Sequence, residues 1–256
     1  MRLDDTAFRR DSGAPRPSPD LPPAYTLVTL REAGDAFAHA CRVAQTAGAG
    51  TLVWVRRFDL VEFAVVLEPA EPLVTARRVF FAGMAALGDA VASISPPGKR
   101  ISFDWPDTIR LDGARLGGGR LGWPKPLREE DVPPWLVFAA MLIASKQGAG
   151  EPGLTPGSTS LEKEGCEIGD HGVLIESFAR YLMRSFDIWV ERGFDVVADN
   201  YLARLRRPRP GGRFGIRENG DLIVAGAGEA RVEQVALVPA LKAAVWLDNN
   251  TRMPVL

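Results

Sequence analysis

The run Trp135 to Ala144 (WLVFAAMLIA) holds ten consecutive residues without a charge, a proline or a glycine. A strand exposed on one side would alternate apolar with polar residues. Unbroken apolarity instead fits a strand buried on both faces at the centre of a sheet. Such a strand needs covering layers, and the chain has amphipathic stretches to make them. Residues 31–47 read as a helix with Phe37, Cys41 and Ala44 on one face. Residues 73–94 read as a long helix with Val79, Phe80, Gly83, Leu87 and Val91 at helical spacing. Val173 to Arg192 carries Leu174, Phe178, Leu182, Phe186 and Trp189 as a core-facing stripe; Gly193 caps it, and a further helix runs to Leu205. Tyr25 to Leu30, the β-branched-rich Thr51 to Val55 (TLVWV) and Phe63 to Leu67 read as strands. The expected fold class is α/β (α+β): a mixed β-sheet flanked by helices, with the run at 135–144 in its middle.

The stretch most suggestive of chemistry is Ile101 to Trp123, ISFDWPDTIRLDGARLGGGRLGW. Ile101, Phe103 and Trp105 alternate as in a half-buried strand, which Pro106 ends because it has no N–H for the ladder. Ile109 and Leu111 resume a strand, and Asp112-Gly113 offers a tight hairpin turn. Arg115 and Leu116 then lead into Gly117, Gly118 and Gly119. Three successive glycines weaken a strand, so they are expected where another group approaches the backbone closely. That group is either a ligand or, more plainly, a neighbouring strand at a bulge. For Arg115 two outcomes are distinct, since one residue of register swaps faces. It points into a pocket beside the glycines, or outward to pair with an acid such as Asp112.

Composition narrows the function classes. The 256 residues, 46% hydrophobic and 25% charged, suffice for one large domain with a small appendix. A formal net charge of −1 gives no global attraction to nucleic acid or to an anionic membrane. No apolar run approaches the roughly 20 residues of a membrane span, and the N-terminus (MRLDDTAFRRDSG) lacks a signal-peptide core, so a cytoplasmic location is expected. With two cysteines and two histidines, neither a disulfide framework nor a protein-built metal site is expected. Cys41 reads as a buried small hydrophobe and His39 as a surface helix residue.

Toward the ends of the chain the composition shifts. Residues 1–23 are charged and proline-rich and read as a flexible arm. Residues 204–213 (RLRRPRPGGR) carry five arginines and read as a solvated linker, with phosphate binding as the alternative. Strand signals at Arg213–Ile216, Leu222–Ala225 and Arg231–Leu237, with a hairpin turn at Asn219-Gly220, predict a small β-domain. The expected organisation is an arm (1–23), a main domain (24–207) and a small C-terminal β-domain (208–256).

From about Tyr25 onward the order of these pieces resembles the biotin protein ligase and lipoate protein ligase superfamily. The resemblance rests first on Trp105-Pro106-Asp107 followed by RLGGG, then on GTLVW (Gly50–Trp54) and FAVVLEP. It continues in SLEKEG (Ser160–Gly165) ahead of a long helix, in Gly193-Phe194 with Tyr201, and in RFGIRENGDLIV, which is similar to the start of those enzymes' small SH3-like domain. It implies biotinyl or acyl transfer to a lysine of an acyl-carrier domain, with ATP and Mg as cofactors if ligase activity is retained. The implied ligand is a small carboxylic acid: biotin, lipoate or octanoate-like. In that family a lysine touches both carboxylate and α-phosphate, stabilising the charge that develops during adenylation. Arg115 stands at that lysine's position and is the candidate catalytic residue. The candidate ligand-binding residues are Trp105, Asp107, Gly117, Gly118 and Gly119, with Arg56 and Arg57 at the pocket mouth; no metal ligands are assigned.

The sequence departs from the family pattern where the chemistry is concentrated. Arg115 keeps the lysine's charge but aims a bulkier planar fork. Asp107-Thr108 replaces Asn-Asp, and Asp104 stands where a lysine often precedes the tryptophan. Only RRFDLVE separates TLVWV from FAVVLEP, without the glycine-containing loop that covers an adenylate. The thiol by which octanoyltransferases of the superfamily avoid ATP has no counterpart, its place being taken by Pro156-Gly157. Cys166 follows SLEKEG at a packing position instead. The chain is then either a divergent ligase or acyltransferase, or a non-catalytic member that binds a small acid or a partner protein through the same pocket. A scaffold or dimerisation module without a ligand is the third possibility.

Overall fold

The computed structural model describes residues 18–147, 155–167, 171–206, 212–226 and 232–256. In chain order the elements are β1 (Thr26–Leu30), α1 (Ala36–Ala47), β2 (Thr51–Val55), β3 (Leu60–Leu67), α2 (Leu73–Ala76), α3 (Val79–Ile94), β4 (Ile101–Asp104) and β5 (Thr108–Leu111). There follow β6 (Ala114–Gly122), β7 (Leu136–Ile143), α4 (Gly172–Arg192), α5 (Phe194–Leu202), β8 (Arg213–Ile216), β9 (Leu222–Ala225), β10 (Val232–Val235) and α6 (Leu237–Ala243). Among the described residues the strands form a seven-stranded sheet, ordered β1-β2-β3-β7-β6-β5-β4, and a three-stranded sheet, β10-β9-β8. In the larger sheet β1 runs parallel to β2 and the other neighbours are antiparallel, so the sheet is mixed.

The apolar run at 135–144 becomes β7, fourth in the order of seven and buried along its whole length. Its side chains alternate between opposite cores. Phe138, Ala140 and Leu142 join Trp54, Phe63 and the inner faces of α3 and α4. Phe138 stacks on Phe178 of α4 with centroids 5.6 Å apart. Val137 and Ala139 turn the other way, onto Ala36, Ala40 and Ala44 of α1. Alanine at every fourth position lets α1 lie close to the sheet. The stripe expected at Phe37 and Cys41 is thereby shifted to the helix flank, where both are half-buried. Nor does α1 cover this whole face: near the β2–β3 connection, Leu60, Met141 and Ile143 pack against Trp246 and Leu247 from the C-terminal segment.

Several boundaries differ from the sequence expectation, each for a local reason. The first helix starts at Ala36 rather than at 31, because Asp35 caps it by accepting a 2.7 Å bond from the Ala38 N–H. The helix expected over 73–94 breaks at Arg77 and Arg78. Arg77 reaches outward to Glu129 and the Trp123 ring, Arg78 to Glu71, Trp189 and Phe194. The last helix before the arginine run stops at Leu202, and Leu205 pairs instead with Phe103, covering the edge of β4. The strand expected to reach Leu237 ends at Val235, since the Leu237 N–H is held by Asp221 at 2.8 Å and starts α6.

Leu222, Val224 and Leu237 of the C-terminal part belong to the same buried cluster as α3, α4 and α5. Of the arm expected at 1–23, residues 1–17 lie outside the described residues, as do 207–211 of the arginine run. The Asp20 N–H is hydrogen-bonded to Glu176 of α4 at 2.7 Å. No helix among the described residues is long and apolar enough to cross a membrane.

The seating of α3 on β7 is testable at Gly83, where a Cβ would come within 2.4 Å of the Phe138 ring. In an open helix Gly→Ala gains about 1 kcal/mol. Here overpacking costs roughly 1–3 kcal/mol against a ring already packed on Phe80 and Phe178. Gly83→Ala is expected to lower the urea midpoint; a raised midpoint would show that helix and strand are not seated this closely.

Candidate functional site

One row of residues across the large sheet frames the site. Register sets Val55 beside Glu62, Glu62 beside Met141, Met141 beside Gly118 and Gly118 beside Thr108. Directly paired residues share a face. This row therefore lies on the face that α1 covers only in part, and the neighbouring row adds Arg120 beside Ala139.

The C-terminal segment fills the space a side chain at Gly118 would take. A Cβ there would lie 2.4 Å from the Trp246 ring and 2.5 Å from the carbonyl oxygen of Asp107. Gly119 looks the other way, into Met84, Phe80 and Phe138. Gly117, at φ 155°, backs onto the carbonyl of Met141, and β5 shifts register nearby between Ile109 and Arg110. In this structure the close approach that the glycines imply is made by the protein's own atoms.

Arg115 extends toward the same C-terminal segment. Its Nε donates to the carbonyl oxygen of Val255 at 2.9 Å. It does not pair with Asp112, which bonds Lys99 at 2.8 Å. Among the described residues no carboxylate lies within ion-pair distance of Arg115, and burial draws its pKa below the ordinary arginine value. Asp107 is fully buried. Its Oδ1 accepts from the Thr108 hydroxyl at 3.3 Å, while its Oδ2 and the Nε1 of Trp246 have no hydrogen-bond partner. Burial pushes this carboxyl up to about 7, and the nearby Trp246 indole and Thr108 only partly oppose the shift.

Further along the row, Glu62 accepts a 2.7 Å bond from the Ala36 N–H, so a strand residue helps to cap α1. Burial raises its pKa. Arg57 closes this side with two 2.7 Å bonds to Asp59 and an approach of 3.7 Å to Glu62. Arg120 lies over the Phe37 ring at 3.9 Å; burial lowers its pKa and the charge of Asp35 offsets this. Asp107 and Gly118 thus meet Trp246, Arg115 meets Val255 of the same C-terminal segment, and Arg57 stands farther along beside Glu62. Three candidates are not brought to them, Gly119 facing the opposite core being the first. Arg56 lies over the Trp54 ring at 4.9 Å, and Trp105 stacks on Phe81 at 5.5 Å in the core between α3 and α5.

Beside Arg115 lies the segment with Pro156-Gly157 in the place of a transferase thiol. The Arg115 N–H donates to the carbonyl of Gly157 at 3.0 Å. Lys146 Nζ donates to the carbonyls of Thr155 and Ser158 at 3.1 and 3.0 Å and to the Ser158 hydroxyl at 2.8 Å. Three acceptors match the three hydrogens of an ammonium, which makes Lys146 a clamp on this segment and not a base. Neither cysteine is activated: burial pushes Cys41 up to about 11 and raises Cys166 as well, whereas a nucleophile needs the thiolate.

Glu62, Arg120, Lys146 and Trp246 were not singled out from the sequence. Arg120 was within reach of the strand alternation, two residues after Gly118. Trp246 was not, because nothing in its local pattern ties it to a glycine more than a hundred positions earlier.

The sequence model of the biotin/lipoate A/B protein ligase family matches residues 21–203 of the chain. Among curated proteins, a biotin–[acetyl-CoA-carboxylase] ligase of Paracoccus denitrificans is 28% identical over 164 residues. The match spans 60% of this chain and 64% of that protein, just under two thirds of the relative's length. Among solved structures, a biotin protein ligase-like protein of unknown function from a Silicibacter species aligns with TM-score 0.74 at 25% identity, over 87% of this chain and 99% of that one. A biotin protein ligase from Aquifex aeolicus in complex with biotin and ATP aligns with TM-score 0.59 at 14% identity, over 84% and 96% of the two chains, a likeness of fold alone.

The buried Asp107 carboxyl has a consequence for stability. Its pKa is raised in the folded protein from 3.8 to about 7, so the folded state binds the proton more tightly than the unfolded chain. Its contribution to stability is fully present below pH 3.8 and is lost as pH rises through about 7. Glu62 acts with the same sign. Urea unfolding is therefore expected to show wild type losing stability from pH 5 to pH 8 and Asp107→Asn losing less. Parallel pH profiles for the two proteins would refute a charge penalty at Asp107.

Proposed function

Because the chain belongs to the biotin/lipoate A/B protein ligase family, we propose that it keeps an acid-binding face without the equipment for adenylation, and binds a small carboxylic acid. The state of Arg115 carries this reading: the cation at the position of the family lysine is engaged by the carbonyl of Val255. Adenylation needs a cation free to follow charge from carboxylate to phosphate, and a cover that keeps water from a reactive mixed anhydride. The connection that would supply such a cover runs only from Arg56 to Asp59, and Arg57 is tied down within it. A guanidinium donating through Nε retains its outer N–H groups, which suit a carboxylate. Leu60, Met141 and Ile143 provide an apolar wall for the rest of the ligand, of the biotin, lipoate or octanoate kind. A cytoplasmic site of action is part of this reading, and ATP and Mg have no role in it.

Transfer to a carrier-domain lysine is the competing reading. It is favoured by Arg115 standing where the lysine is expected and by a small sheet following the main one. ATP–pyrophosphate exchange separates the two. Exchange with biotin or lipoate is expected to stay at background, and robust exchange would restore the ligase. Calorimetry with the acid that binds tests the site itself. Charge-assisted hydrogen bonds contribute roughly 1.5–3 kcal/mol each, so Arg115→Ala should weaken binding about 10- to 150-fold. Unchanged affinity would remove Arg115 from the site.

A further inference from the structure

The C-terminal segment that lies against the candidate site is folded back on itself by short-range hydrogen bonds, which fray once the segment loses its packing. The Val255 N–H donates to the Trp246 carbonyl, the Asp248 N–H to that of Met253 and the Arg252 N–H to that of Asp248, each at 2.8 Å. The Asp248 carboxylate draws in the N–H groups of Asn250 and Thr251 at 2.9 and 2.8 Å. The segment leaves α6 at Ala244, whose backbone is left-handed (φ 36°, ψ 55°), an uncommon conformation for a residue with a side chain.

Its attachments to the rest of the protein fall where a ligand would make its own. The Trp246 ring occupies the space in front of Gly118, and the Val255 carbonyl gives Arg115 an oxygen acceptor of the sort a carboxylate would offer. Leu247 and Met253 pack with Trp246 on the apolar wall of Leu60, Met141 and Ile143, and an ion pair from Arg252 to Asp35 at 3.4 Å, with side chains 68% and 33% exposed, is screened by water. The fit is incomplete. The Trp246 indole faces the Asp107 carboxylate and opposes the rise of its pKa, yet Asp107 Oδ2 and Trp246 Nε1, both buried, do not close a well-formed hydrogen bond.

We propose that residues 244–256 form a clasp that occupies the acid site in place of a ligand, so that seating of the clasp and binding of the acid exclude each other. This rests on the acid-binding reading above and adds its regulation. The site is complete only when Trp246 leaves Gly118 and Val255 leaves Arg115. Whatever loosens the clasp thereby raises affinity for the acid without touching the residues that hold it.

The test uses the full chain as wild type, as the double variant Asp248→Ala/Arg252→Ala and as Trp246→Ala, each titrated with octanoate, lipoate and biotin. The double variant removes the turn support and the outer ion pair but leaves the packed indole, so it remains informative if Trp246→Ala does not fold. Apparent affinity scales with the fraction of open protein, so the loosened variant is expected to bind about tenfold tighter or better than wild type. Hydrogen exchange of wild type with saturating octanoate is expected to rise at the Asp248, Arg252 and Val255 amides. If wild type binds an acid, the loosened variant binds it no tighter and those amides are not deprotected, the clasp is overturned and the acid site stands. If none of the folded proteins binds any of the three acids, the acid site falls and the clasp falls with it.

Discussion

Burial of β7 on both faces is the constraint on which the rest of the structure depends. Neighbouring side chains of one strand must enter opposite cores, so a layer has to be supplied on each side. On one side α3 and α4 meet Phe138, Ala140 and Leu142 through aromatic rings, with Gly83 making room for Phe138. On the other the layer is thin: three alanines of α1 against Val137 and Ala139. A short helix cannot cover an eight-residue strand along its whole length. The uncovered end, at Met141 and Ile143, is where Gly118, Arg115 and Asp107 gather and where Trp246 comes to rest.

Incomplete pairing of charge follows from the same geometry. Residues pointing from a central sheet into a thinly covered face lose water without gaining enough partners to replace it. Burial accordingly raises Asp107 and Glu62 and lowers Arg115 and Arg120, the direction that disfavours the charged form in every case. Glu62 still performs structural work, since a carboxylate at a helix N-terminus meets unbonded N–H groups and the positive end of the helix dipole. Asp107 and Arg115 perform less of it. Groups with this profile mark places where an incoming charge or hydrogen-bonding group changes the local balance most.

Kinship with the ligases lies in the framework, and the differences lie in short connections and single side chains. A connection from Arg56 to Asp59, an arginine at position 115 and a tryptophan from the C-terminal segment change what one face can do without disturbing the sheet. That division is ordinary for α/β folds, in which chemistry resides in a grafted site and stability in the layers beneath it.

Local pattern alone determined the framework. Unbroken apolarity at 135–144 required a central strand, helical spacing in 173–192 required a buried stripe, and Asp112-Gly113 required a turn, because each of these depends only on residues close in sequence. The order of motifs from GTLVW to RFGIRENGDLIV carried the family as well. Only the tertiary structure decided what stands against the glycines. Trp246 reaches Gly118, Val255 reaches Arg115 and Glu62 reaches the start of α1 across 128, 140 and 26 positions of chain, counted from the residue numbers. Arg56 could be placed just after β2 and Trp105 at the end of β4, but not on a side of the pocket, since the face each one takes depends on which helices cover the sheet there. Strand periodicity says that a residue points to one face or the other; the partner waiting on that face is set by packing between segments far apart in the sequence.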